Sequence, residues 1–373
     1  MNANVSSRIN LMRIVLISGI VFVHVPHDPA NSPFLGSYGF IDWIRVFLGD
    51  SLFRVGVPCL SAISGYLLFR RGFDGFHYGK TLRTKAVTVL LPFLLWNLMF
   101  LGFVMIAQSL GIGFGYLPDV INATPREMAS FAFALEDWPI DLPLYFLRDL
   151  LLCLVLSPVL GILMQRYPRA TLIVFLAYAV LPVPNGIFLK KSILFGFSAG
   201  IGVALHHVNL VAIDRHAKAI FAVVFAATIW LSVGLYVTGP EFPLWLDMAR
   251  SLIALTGILG AWALSALLVG TLLGQRLSRG GGLSFWIFCA HYPLLIVFWM
   301  IWNRLGIDTY PLFYVAAPIL AIALLTLSHA AAQSLFPRLH AVLTGNRIGG
   351  KARLSAPPSM QASGTAKYAP QQR

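Results

Sequence analysis

Apolar runs follow one another along almost the whole of this chain, from near residue 10 to near residue 335, with no soluble insert between them. A membrane helix needs roughly 20 mostly apolar residues. By that measure we read about ten spans, at about 9–26, 50–69, 86–110, 143–163, 169–184, 192–207, 217–238, 249–273, 283–303 and 311–335. Only 11% of the residues are charged and 58% are hydrophobic, whereas a soluble domain carries about 25% charge. Charge this scarce cannot clothe a water-exposed surface, so the apolar segments face lipid or each other. The expected fold is all-α, a polytopic membrane protein with one transmembrane domain over residues 1–340. Residues 341–373, rich in Ser, Pro, Ala, Gly and basic side chains, are expected to form a disordered cytoplasmic tail.

The net charge of +13 would suggest nucleic acid only if it gathered on one solvated face. It lies instead in short loops between spans. With the N-terminus in the cytoplasm, most lysines and arginines fall on the cytoplasmic side and most acids outside, as the positive-inside bias requires. The reading is a multi-pass protein of the bacterial inner (plasma) membrane, in contact with membrane lipid, both termini cytoplasmic, with no nucleic-acid partner. The run Ile14–Val25 is preceded by Arg8 and Arg13 but followed by Pro26-His27-Asp28-Pro29 rather than a small-residue cleavage site, so it reads as a retained span. Cys59, Cys153 and Cys289 lie singly inside apolar runs and make no disulfide or metal pattern. The longest outer loop, residues 111–142, is acidic; loops of this length inside compact domains are often functional.

Ionisable groups inside a bilayer are costly and are functional candidates by default. Arg13 and His24 share the first span. Their spacing is within about 20° of three full helical turns, which sets both on one face about 16 Å apart. A snorkelling Arg13 and an interfacial His24 would fit the same geometry. The second span carries Arg54 near its outer end and a small, polar stripe of Ser61, Ser64 and Gly65 that permits close helix packing. The fourth opens Tyr145-Phe-Leu-Arg148-Asp149. Adjacent helical residues point about 100° apart, so Arg148 and Asp149 are expected to seek different partners. His291 lies near the middle of the ninth span, where a satisfied buried histidine is equally consistent. No Gly-rich phosphate loop, HExxH or G-x-S-x-G is present, and no metal site is expected.

Taken in order, these residues resemble the acyltransferase-3 family of membrane O-acyltransferases. Arg13-x10-His24, Phe53-Arg54-Val-Gly-Val-Pro58 through Ser64-Gly65-Tyr66, Lys80 to Pro92, Tyr145-Phe-Leu-Arg-Asp-Leu150, and Phe288-Cys-Ala-His291-Tyr-Pro293 are similar to successive family motifs over about residues 8–335. Phe288 stands where a tyrosine is common, which weakens any role for a hydroxyl there. Within the family, Ile17–Pro26 and Phe53–Phe69 look most like members that succinylate bacterial exopolysaccharides.

The resemblance implies transfer of an acyl group, succinyl before acetyl, from acyl-CoA to a hydroxyl of an exopolysaccharide or its lipid-linked precursor, possible in company with polysaccharide assembly machinery. Acyl-CoA would be a donor substrate, with no permanently bound cofactor. Arg13, with Ser64 and Tyr66, would bind the donor; His24 would be the base; Arg54 and Arg148 would stabilise an oxyanion or hold a dicarboxylic acyl group. Tyr145, Asp149 and His291 are further candidates. A glycan or lipid transporter and a structural subunit of an assembly complex are the alternatives, although no internal repeat of the transporter kind is visible.

Overall fold

The structure, a computed structural model, describes residues 3–345. Those residues form helices joined by loops, with no β-strand element among them. We name the helices α1 (Ala3–Val23), α2 (Phe40–Phe69), α3 (Tyr78–Ser109), α4 (Pro125–Phe133), α5 (Tyr145–Val155), α6 (Ser157–Arg166), α7 (Pro168–Val180), α8 (Lys191–Leu205), α9 (Ala217–Thr238), α10 (Leu244–Leu268), α11 (Gly281–Leu305), α12 (Tyr310–Leu335) and α13 (Pro337–Leu343). The expected tail, from residue 346 onward, lies outside the described residues. Residues 341–345 end α13 and its turn, where the Leu343 carbonyl accepts a hydrogen bond from the Trp96 indole at 3.0 Å.

Among the described residues, seven helices are long and apolar enough to cross a membrane, or eight if the bent pair α5–α6 is one span. The expected count of about ten is not confirmed. The segments read as spans at 169–184 and 192–207 become α7 and α8, of 13 and 15 residues. At 1.5 Å per residue they reach only about 20 and 23 Å, short of the roughly 30 Å of a hydrocarbon core. The fourth span is also not continuous. Ser157 and Pro158 open α6 at 65° to α5, because proline lacks the amide that would carry the helix on.

Although short, α8 is deeply buried, and it packs chiefly on α2. Its G-x-x-x-G stretch, Gly196 to Gly200, lies on the α2 backbone: a methyl at Gly196 would meet the Pro58 carbonyl, and one at Gly200 the Ala62 carbonyl. Gly65 of α2 returns the contact against the Phe197 carbonyl. Backbones this close need side chains of a single hydrogen.

Around this pair, α1 contacts α10 and α11, and α11 contacts α12. Within α2 a π turn (Phe47–Ser51) runs into a 3₁₀ turn (Leu52–Val55). Gly19 of α1 leaves room there for the Phe53 ring, so α1 passes close to the segment that carries Arg54. The 111–142 loop is not structureless. It holds α4, which opens with a capping box between Thr124 and Glu127. Asn97 of α3 fastens the inner edge of the loop: its amide donates to the Phe131 and Ala132 carbonyls, and its oxygen accepts from the Asp141 amide at 3.0 Å.

Candidate functional site

His24 follows the last turn of α1, and His291 lies inside α11 just before Pro293. The contact of these helices brings the rings together, with His291 Nε2 3.2 Å from His24 Nδ1. The surrounding carbonyls fix the tautomers. His291 Nδ1 lies 2.8 Å from the Phe288 carbonyl and 3.0 Å from that of Ile287. Both are acceptors only, so Nδ1 carries the proton and Nε2 keeps a lone pair. His24 Nδ1 faces that lone pair and also the Ile20 carbonyl at 3.1 Å, so it too carries a proton. The lone pair of His24 is thereby left on Nε2. His291 is fully buried while His24 is half-buried. A ring oriented in this way by a second group has the arrangement that a nucleophile-activating base requires.

Arg54 stands with this pair. Its charge reaches both His24 and Tyr145. Its Nη2 donates to Asp50 at 2.7 Å, while Nε is buried with no partner among the described residues. Tyr145 is buried, its ring edge-on to Trp138 with centroids 4.9 Å apart. Phe288 packs against Phe146 in an apolar setting that has no use for the missing hydroxyl.

Arg148 is differently employed. Its Nε donates to the Ala134 carbonyl at 3.0 Å, its Nη2 reaches the Leu135 carbonyl, and its Nη1 bonds the Ile187 carbonyl and, at 2.8 Å, Asp149. The two neighbours therefore pair with each other, against the expectation of separate partners. The long arginine stem lets the guanidinium swing back across the 100° between them. With every donor nitrogen engaged, Arg148 is a strut between the loops that hold Ala134 and Ile187, and the structure does not bring it to the histidine pair. Asp149 is fully buried and accepts from the backbone amides of Leu189 and Lys190 at 3.2 and 2.8 Å. It fixes the start of α8.

At the opposite end of α1, Arg13 is half-buried and close enough to Lys85 for their like charges to act on one another. Neither has an acidic or hydrogen-bonding partner among the described residues. By contrast Arg8, one and a half turns away, is held bidentately by Asp214 at 2.7 and 2.9 Å and stacked on Trp262. Tyr66 lies in this half of the molecule, beside an apolar cavity of about 110 Å³ shared with Ile9 and Met12. The Ser64 hydroxyl donates to the Leu60 carbonyl of its own helix at 2.9 Å. Among the described residues no three His, Cys, Asp or Glu side chains converge as a metal site.

Three residues escaped the sequence reading. Trp138 comes from the 111–142 loop and walls the Tyr145 side of the site. Lys190 sets its ammonium 5.6 Å from the Trp138 ring centroid. Asp141 is fully buried with both carboxylate oxygens unpartnered, near enough to Cys289 and Tyr292 to influence them. Burial pushes its carboxyl well above the usual carboxylate range. Only Lys190 carried a signal in the sequence: a cation in the short connection between two apolar runs, on the side expected to be poor in cations if the N-terminus is cytoplasmic.

A family profile described as an acyltransferase domain matches residues 6–329. The chain is 64% identical over 373 residues, covering 100% of both sequences, to the succinoglycan biosynthesis protein ExoH of Rhizobium meliloti (strain 1021). No solved structure matches the chain.

Proposed function

This chain belongs to the acyltransferase-3 family, and from that membership and the His24–His291 pair we propose that it transfers a succinyl group from succinyl-CoA to a hydroxyl of an exopolysaccharide or its lipid-linked precursor. The single observation that carries the reading is the free Nε2 lone pair of His24, held in that tautomer by His291. The relative named for succinoglycan biosynthesis, identical at 64% of positions, supports a polysaccharide acceptor.

In the reaction, His24 Nε2 takes the proton of a sugar hydroxyl as its oxygen attacks the thioester carbonyl. The imidazolium is stabilised by the Ile20 carbonyl and the lone pair of His291 Nε2. Arg54, whose charge acts on both His24 and Tyr145, and the Tyr145 hydroxyl are the donors assigned to the oxyanion. Collapse of the tetrahedral intermediate breaks the C–S bond, and His24 returns its proton to the leaving thiolate. The products are a glycan ester and free CoA. The donor enters from the other side. Arg13 and Lys85 form a pair of cations without acids, suited to CoA phosphates, and the extended pantetheine arm covers the roughly 16 Å from Arg13 to His24. Membranes containing the protein should move label from succinyl-CoA onto the polysaccharide; a transporter or a structural subunit would move none.

Two expected results arise from this. Arg13→Ala raises the KM for acyl-CoA with less effect on kcat, and Arg13→Lys restores only part of the affinity because lysine lacks the planar fork. Steady-state kinetics at varied donor concentration decide it, and an unchanged donor KM in Arg13→Ala would move donor binding elsewhere. The second concerns sidedness. We place both termini in the cytoplasm of a bacterial inner-membrane protein, which puts α4 outside. A cysteine at Arg126, an exposed position, should react with an impermeant thiol reagent on intact cells. The three native cysteines are buried and supply little background. Labelling only after permeabilisation would invert the topology.

A further inference from the structure

The outer end of the site carries more positive than negative charge. Lys190 lies where the charges of Arg54, Arg250 and Asp247 all act on it. Arg54 is bonded to Asp50 at 2.7 Å, and Arg250 is bonded to Asp247 at 2.6 Å with Asp50 3.7 Å away. Asp149, the other acid nearby, is paired with Arg148 and with the backbone of Lys190 itself. Two arginines are therefore matched by two aspartates, and the Lys190 ammonium is left without an acidic or hydrogen-bonding partner among the described residues. Its neighbour Lys191 differs: that ammonium donates to the Leu181 and Val183 carbonyls at 2.7 and 3.1 Å. Lys190 is half-buried and its backbone is pinned by Asp149, so its position beside the Trp138 wall is set by the fold.

We propose that Lys190 binds a carboxylate carried by a substrate and so selects dicarboxylic over simple acyl groups or acidic over neutral acceptors. This rests on the acyltransferase reading above. A half-buried, unpaired ammonium is costly to maintain and gains a charge-assisted hydrogen bond when a carboxylate arrives. The neutral methyl of an acetyl group offers it nothing. Desolvation and the charges of Arg54 and Arg250 pull the Lys190 ammonium down to about 8, with Asp247 and Asp149 opposing. The free enzyme loses this cation as pH rises through that value, and kcat/KM reports the free enzyme. The ratio of succinyl to acetyl transfer in kcat/KM should therefore fall above about pH 8.

The test compares the full-length protein in lipid nanodiscs with Lys190→Met, Lys190→Arg and Lys191→Met. Succinyl-CoA and acetyl-CoA serve as donors, and an acidic and a neutral oligosaccharide as acceptors. For a carboxylate on the acyl chain, Lys190→Met loses about 10- to 100-fold in kcat/KM for succinyl-CoA and keeps acetyl transfer near wild type with either acceptor. Lys190→Arg recovers most of the loss, and Lys191→Met leaves the donor ratio unchanged. For a carboxylate on the acceptor, both donors suffer with the acidic acceptor and neither with the neutral one. Equal loss across all four combinations, or no loss, overturns the proposal. A binding arm needs no turnover: free succinate against its neutral analogue succinamide, read by Trp138 fluorescence as the difference between wild type and Trp138→Phe. If wild type transfers neither donor, the acyltransferase reading falls and this arm decides alone. Succinate sensed by wild type and not by Lys190→Met upholds the carboxylate site, and an equal response in both overturns it.

Discussion

His24→Ala lowers acyl transfer by about 10²–10⁴-fold, the range general-base assistance supplies, while the protein accumulates in the membrane at normal levels. The second half of that expectation comes from position. His24 lies past the last turn of α1, half-buried, with its ring on the site rather than in the core, so truncation leaves little void. The pH profile separates a base from a mere packing residue. A base must be unprotonated to act, so wild-type kcat/KM falls on the acid side; in His24→Ala that limb should vanish along with most of the rate. His291→Phe should reduce kcat by about 10²-fold, as expected when a catalytic group loses its alignment, with donor KM little changed. Wild-type rates in folded His24→Ala would remove His24 from the chemistry and with it the role assigned to His291.

Gly200→Val should prevent stable folding. The added side chain would be driven into the Ala62 carbonyl of α2, and a backbone carbonyl inside a helix cannot turn aside as a side chain can. Overpacking of a well-packed core costs about 1–3 kcal/mol where neighbours can shift, and more is expected where they cannot. Gly202→Ala, on the same helix, is the control. Its new methyl would meet only the terminal methyl of Met164, which can swing away, so it should be close to neutral. Thermal unfolding and the yield of monodisperse protein in detergent measure both variants. A Gly200→Val protein as stable as Gly202→Ala would mean that α2 and α8 do not approach as closely as described.

The long helices were legible because lipid imposes one rule on every residue. An unbroken apolar stretch must satisfy its backbone internally, and only a helix does so; hence the span read at 217–238 coincides with α9 (Ala217–Thr238). The differences fall where that rule does not decide. In α7 and α8 the run is short, and the apolar residues of α8 meet protein rather than lipid. At Pro158 the hydropathy continues through a break in direction. The Arg148–Asp149 pairing went astray because a helical wheel describes where side chains start, whereas a guanidinium acts at the end of a long, bending stem.

Sequence by itself determined that the chain is helical and membrane-bound. It also set Arg13 and His24 on one face of the first helix, because helical periodicity is a local property and the two residues share one helix. Only the tertiary structure decided what those residues meet. His291 comes to His24 from 267 positions away through the packing of α1 on α11. Lys190 comes to Trp138 and Arg54 because Asp149 pins the start of α8. Close packing through Gly65, Gly196 and Gly200 sets the depth of that helix. Contacts across such distances depend on which helices pack together and at what depth, and no local pattern in the chain encodes either.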